Sequence, residues 1–260
     1  MLQIKVGVQL ASLRLPLKQA LLTAAQMGAD AVEIDLRTEL RPEELSRTGI
    51  RHVRKMLDDL NLRVSCASFR TRRGYHVAEG LDRRVEATQE ALRLAYDLGT
   101  NVVVNHVGRV PAEDDRIGWD TMCQALADIG RIGQRVGATL AAETGAESGE
   151  DLLRLIRALP TGSLGVDLHP GNLILHGLSP QQAVRALAEH VLHVHAADAT
   201  RDLAQGRGIE VPLGRGNAEL PELLAALEEH RYRGYITIER RQSDNPLYEI
   251  SQAVQFLRNL

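Results

Sequence analysis

Short apolar runs alternate with amphipathic helical stretches along the whole chain, and this alternation restricts the fold more than any other feature. Strand patterns occur at 4–10, 31–36, 62–68, 101–108, 138–145, 163–170, 191–198 and 235–240. Helical patterns follow them at 16–28, 42–60, 81–99, 119–136, 150–160, 179–189, 220–230 and 245–260, with Gly28 and Gly99 placed as stops. Strands that alternate with helices in this way predict a parallel sheet covered by helices. Eight such units in 260 residues, without a break in composition, predict an α/β protein closed as a single (β/α)8 TIM barrel, one domain over 1–260. An open doubly wound sheet would carry a phosphate or dinucleotide loop after its first strand, and none is there. The glycine-rich PLGRGN (212–217) comes late and lacks that spacing.

Composition narrows the partners. A net charge of -3 and 3% aromatic residues argue against a nucleic-acid surface, and no apolar run has the length of a membrane span. Cys66 and Cys123 are too few for a disulfide framework, and both read as buried thiols. The first 17 residues are interrupted by Lys5, Gln9 and Arg14, unlike a signal peptide, so the expected location is cytoplasmic. A monomer and a homodimer fit the sequence equally.

In a barrel, reactive groups collect at the C-terminal strand ends, and alternation along each strand decides which side chains face inward. Strand five then directs Glu143 inward, strand six Gly165, Asp167 and His169, strand seven His193 and His195, and strand eight Tyr235, Thr237 and Glu239. Four neighbouring strands each bring a carboxylate or an imidazole to one rim. A single inward carboxylate is as readily a structural ion pair; four convergent ones, costly to bury unpaired, weaken that reading. Mixed oxygen and imidazole donors suit one divalent metal ion. Glu33 and Asp35 point inward on strand two, with Glu33 either a substrate contact or a structural pair. His106 ends strand four near the same rim. His193, one pleat below His195, reads as a supporting or core residue, and His190 and His230 as helix C-terminal residues that complement the dipole. Arg70, Arg72 and Arg73 form either an anion grip or a solvated basic loop.

The segments AAETG, DLHPGNL, HVHAAD, VPLGRGNAELPELLAAL and YRGYITIER, in this order and spacing, resemble the xylose isomerase-like barrel superfamily, in particular its sugar phosphate isomerase/epimerase branch. The resemblance covers essentially the whole chain. It implies one rim metal held by a Glu, an Asp, a His and a Glu from strands five to eight, corresponding to Glu143, the Asp167/His169 position, His195 and Glu239. Strand six departs from that pattern: aligned through PGN, Asn172 takes the family's later His or Asn slot and His169 the slot of the metal Asp. Three arrangements are open: ligation by His169, ligation by Asp167 one pleat deeper, or a weakened site. Exchange of an anionic ligand for imidazole favours Mn²⁺, Co²⁺, Fe²⁺ or Zn²⁺ over Mg²⁺. The implied activity is isomerisation or epimerisation of a sugar, keto-sugar or related polyol ketone through a metal-stabilised enediolate, with Glu143 and Glu239 as the proton-transfer pair. Asn172, His106, Glu33, Arg207 and Arg215 are the expected substrate contacts. The competing reading is a metal-poor, non-catalytic or repurposed barrel that binds a sugar-like ligand. An apurinic-endonuclease activity is disfavoured, because the loop after strand seven lacks that group's Asp-x-His pair.

Overall fold

The computed structural model describes residues 4–202 and 207–260, except the side chains of Asp202 and Arg207. Eight parallel strands close into a barrel in the order β1 (Lys5–Gln9), β10 (Tyr235–Ile238), β7 (Val191–Ala196), β6 (Leu164–Leu168), β5 (Thr139–Glu143), β4 (Val102–Asn105), β3 (Arg63–Ser68) and β2 (Ala31–Asp35). The expected strands are all present, shorter at their ends; the fourth stops at Asn105, so His106 lies just beyond it. The fold adds short elements beyond the expected units, among them a helix at Leu10–Leu13. Asp198–Asp202 (β8) and Arg207–Val211 (β9) form an antiparallel hairpin within the segment read as a featureless loop. A short helix, Pro170–Leu175 (α7), starts directly after β6.

Branched and aliphatic side chains pointing outward from the strands (Val8, Ile34, Val103, Leu140, Val166, Val194, Ile236) share one buried core with leucines of the covering helices. Leu126, on helix α5 (Arg116–Val136), is fully buried there. Cutting such a side chain back to Ala costs about 2–5 kcal/mol. Inside the barrel, Cys66, Val102, Val104 and Ala141 form a separate apolar plug. Ser46, Asp115, Ser148, Ser179 and Asn245 cap their helices by accepting a backbone N–H three residues on. Among the described residues no helix is long and apolar enough to cross a membrane.

Three features aim the site. Register sets Gln9 beside Glu33, Glu143 beside Asp167, Asp167 beside His193, and His195 beside Thr237. Register shifts at Val32/Glu33 and Val166/Asp167 fall next to two of these polar residues, as bulges beside functional sites commonly do. The loops after β3 and β4 meet at Gly74 and Gly108, where a Cβ on Gly108 would come 2.3 Å from the Gly74 Cα. Phe69 N–H donates to Val104 O at 2.9 Å and Tyr75 N–H to Val107 O at 2.9 Å. That seam fixes the course of the loop carrying Arg70.

Candidate active site

The inner part of the site is a chain of buried side chains linked from strand to strand. Asp167, fully buried, uses both oxygens: Oδ1 on His193 Nδ1 and Oδ2 on His195 Nδ1, each at 2.7 Å. His193 Nε2 continues to Thr237 Oγ1 at 2.7 Å, and Thr237 donates to Ser65 Oγ at 2.9 Å. Gly7 leaves room for this link, since a Cβ there would come 2.5 Å from Thr237 Oγ1. His195 Nε2 meets Glu33 Oε2 at 2.5 Å. Gln9, not foreseen in this role, donates from Nε2 to Glu33 Oε1 at 3.0 Å and to Glu239 Oε2 at 2.6 Å; its Oε1 accepts from Ser12 at 2.7 Å.

Electrostatics follow from this geometry. Burial alone would raise the Glu33 carboxyl, but the His195 ring outweighs it and brings the group down to about 2. Asp167 is likewise held below the usual carboxylate range, burial being overcome by His195 and His193. His195 is buried, which disfavours its charge, yet Asp167 and Glu33 hold it well above the ordinary imidazole value. An imidazole with a carboxylate on each nitrogen is an imidazolium unless a metal replaces one proton.

The outer part faces the cleft. Glu143 ends β5 and Glu239 follows β10, with side chains 0% and 2% exposed. His169 Nε2 lies between them, 3.3 Å from Glu239 Oε1 and 4.0 Å from Glu143 Oε1. Arg70 reaches both glutamates, at 3.5 Å to Glu143 and 3.2 Å to Glu239. Arg241 also contacts both, through Nε on Glu239 and through a terminal nitrogen 3.5 Å from Glu143. Burial would raise Glu239, but His169, His195 and Arg241 hold it well below the usual range. Glu210 of β9 accepts the backbone N–H groups of Arg241 and Gln242 at 2.9 and 3.1 Å, so the unforeseen hairpin positions Arg241.

The expected site residues divide as follows. Glu143, His169, His195 and Glu239 come together, and donor atoms of His169, His195 and Glu239 lie within 4.8 Å of one another. Asp167 stands behind His195 with no free oxygen, so it orients imidazoles rather than facing the cleft. Asn172 was expected to meet a substrate hydroxyl; its Nδ2 donates instead to Glu143 Oε1 at 2.6 Å. Glu33, also expected at the substrate, is fully buried against His195 and Gln9. His106 Nε2 is 3.4 Å from Glu143 Oε1, and its imidazole is pushed down by burial. Arg215 is exposed in the 212–217 turn, which Asp198 pins by accepting from Gly214, Gly216 and Ala218 N–H. Arg207 opens β9, and its side chain lies outside the described residues. The Arg241 and Gln9 contacts had no local sequence signal, because they depend on how loops and strand ends meet.

His169, His195 and Glu239, with Glu143 Oε1 4.0 Å from His169 Nε2, offer imidazole and carboxylate donors that suit a borderline divalent ion. Two conditions attach to the fit: His195 Nε2 is held by Glu33 and must turn from it to ligate, and His169 is held as well. His169 Nδ1 accepts the Asn172 backbone N–H at 3.0 Å and caps α7. The neutral ring therefore carries its proton on Nε2, the nitrogen facing the glutamates. Ligation by His169 requires it to release the cap or that proton.

A closed eight-stranded barrel with imidazoles and carboxylates gathered at the strand ends defines a class of rim-site barrels. The chain belongs to the xylose isomerase-like TIM barrel family, whose model matches residues 21–260. An inosose dehydratase of Bacillus velezensis is 26% identical over 149 residues, 50% of each chain. The chain spans about half the length of the curated relatives it matches. A xylose isomerase domain protein from Planctomyces limnophilus superposes with TM-score 0.85 at 23% identity, covering 98% of this chain and 96% of that one. A D-tagatose 3-epimerase-like protein gives TM-score 0.77 at 22% identity, with 98% of both chains covered.

Proposed function

We propose that the protein is a divalent-metal-dependent isomerase or epimerase of a sugar, keto-sugar or related polyol ketone. The observation that carries this reading is the pair of buried glutamates, Glu143 and Glu239, on either side of His169 Nε2. One carboxylate takes the proton next to the substrate carbonyl, and the other returns it to the same or the adjacent carbon. Gln9 and Asn172 fix the orientation of Glu239 and Glu143. Glu143, His169, His195 and Glu239 would hold the ion, with Asp167 setting the His195 ring. When bound, the ion supplies Lewis-acid stabilisation of the oxygen charge that develops as the proton leaves. The names of the dehydratase relative and the epimerase-like neighbour support chemistry on this class of substrate.

The test is proton exchange. A panel of ketoses, aldoses and inososes is incubated with Mn²⁺-supplemented protein in D₂O and followed by NMR. Deuterium entering beside a carbonyl is the expected result, and no exchange across the panel contradicts the reading. The His169 cap favours a second reading, a barrel that binds a sugar-like ligand without a tight ion. Metal content after purification without chelator separates the two: near-stoichiometric Mn, Co, Fe or Zn that falls in H169A supports the enzyme, and a chain that takes up no added Mn²⁺ supports the binder.

A further inference from the structure

We infer that the substrate carries an anionic group, a carboxylate or a phosphate, gripped by Arg70 and Arg241 at the mouth of the cleft above Glu143 and Glu239. The inference rests on the proton-transfer reading above and narrows its substrate class. Position is the first argument. The glutamates are 0% and 2% exposed, whereas the Arg70 and Arg241 side chains are 31% and 38% exposed. A molecule coming from solvent to the glutamates therefore meets the guanidiniums first.

Charge is the second argument. The two guanidiniums match the two glutamates one for one. An ion held by the same carboxylates takes over their charge and leaves both guanidiniums in need of an anion. A neutral polyol can hydrogen-bond to them but cannot supply that charge, and half-buried cations without a counter-charge are costly. Planar guanidinium forks match carboxylate and phosphate oxygens in pairs.

Unused capacity is the third. Arg70 Nε is buried with no partner, and a buried donor left unpaired carries an uncompensated desolvation penalty. The adjoining cleft, about 330 Å³, is lined by Arg241, Arg109, His106 and His176. Its carboxyls are Glu143, already paired, and Glu147, which burial pushes up to about 7. No full negative charge on the outer wall competes with an incoming anion.

Calorimetric titration of the Mn²⁺-loaded 260-residue chain with glycerol, D-glycerate and glycerol 3-phosphate tests the inference. An anion bound at least tenfold more tightly than glycerol is expected. That preference should fall tenfold or more in R70Q and R241Q, while R72Q, an exposed arginine of the same loop, retains it. Either anion leading supports the inference: glycerate identifies a carboxylate, glycerol 3-phosphate a phosphate. Equal affinity for all three probes, or a preference that survives both R70Q and R241Q, overturns it. The Mn²⁺ titration is run first, so failure of the metal reading is seen separately. Should no Mn²⁺ bind, the same titrations on ion-free protein decide by the same two criteria.

Discussion

The inner group of the site (Glu33, Asp167, His193, His195) and the outer group (Glu143, His169, Glu239, Arg70, Arg241) use the same chemistry to different ends. Every buried polar atom described in the inner group has a partner, whereas the outer group leaves Arg70 Nε without one. Inner contacts run strand to strand within the barrel wall, and outer contacts run from strand ends to loops. A fully satisfied polar network rigidifies its surroundings, and an incompletely satisfied one is where a ligand gains free energy. On the proposed function, the inner group is the positioning part and the outer group the part that meets the substrate.

The largest effect expected from breaking this contrast is chemical. Glu143→Gln and Glu239→Gln each preserve shape and should cut deuterium exchange by roughly 10²–10⁴-fold, the usual worth of a general acid or base, in variants whose circular dichroism shows them folded. Retained exchange in both variants would sink the proton-transfer assignment. Asp167→Asn reverses the pattern. It breaks a buried pair with two imidazoles and should cost about 3–5 kcal/mol in urea denaturation. Losing the partner of His195 should also weaken Mn²⁺ binding by roughly 10–100-fold. A variant as stable as the parent would mean that the inner network is not the scaffold described.

His169→Asp sharpens the comparison within the outer group. Aspartate also accepts the cap and adds an anionic oxygen, so Mg²⁺ affinity should rise on the order of tenfold, while the ion-free protein loses stability from a third carboxylate beside Glu143 and Glu239. Unchanged Mg²⁺ affinity would remove position 169 from the ion site.

The remaining effects are in pH dependence, and their signs differ. Glu33 has a folded value near 2, below its ordinary 4.5. Its stabilisation is therefore full above about pH 4.5 and fades as pH falls toward 2. Glu147 has a folded value near 7, above 4.5, so the folded state loses stability as pH rises from 4.5 to 7. Relative to the parent, E33Q should be less stable by about 2–4 kcal/mol at pH 7 and nearly equal at pH 2. E147Q should be equal at pH 4 and more stable by about 1 kcal/mol at pH 8, after solvent screening. Urea midpoints at these pH values check both, and matching signs would refute the assignment of two environments.

The barrel was legible because outward-facing branched and aliphatic residues impose period two on every strand, and the same period turned Asp167, His169, His193 and His195 inward. The pairing of the inner side chains was not legible. Spacing places Asp167 and His169 on one face, but the satisfaction of Asp167 by two rings of a neighbouring strand depends on a register shift with no sequence signature. The β8–β9 hairpin was missed because DATRDLAQGRGIEV lacks a compact turn motif and period-two hydrophobicity. Helix α7 was missed because its six residues are too few for periodicity. Arg70 was read only as one arginine of a loop that leaned toward a solvated basic loop over an anion grip, since its partners lie on strands far away in sequence.

His169 closes the N-terminus of α7 with one ring nitrogen and faces the glutamates with the other. Capping asks only for an acceptor, which His, Asp and Asn all provide. Selection on the cap alone would find these three residues interchangeable at position 169. Selection on catalysis would find an imidazole, an anion and an amide. On the proposed function, ion preference can thus drift through a single codon position without loss of the cap.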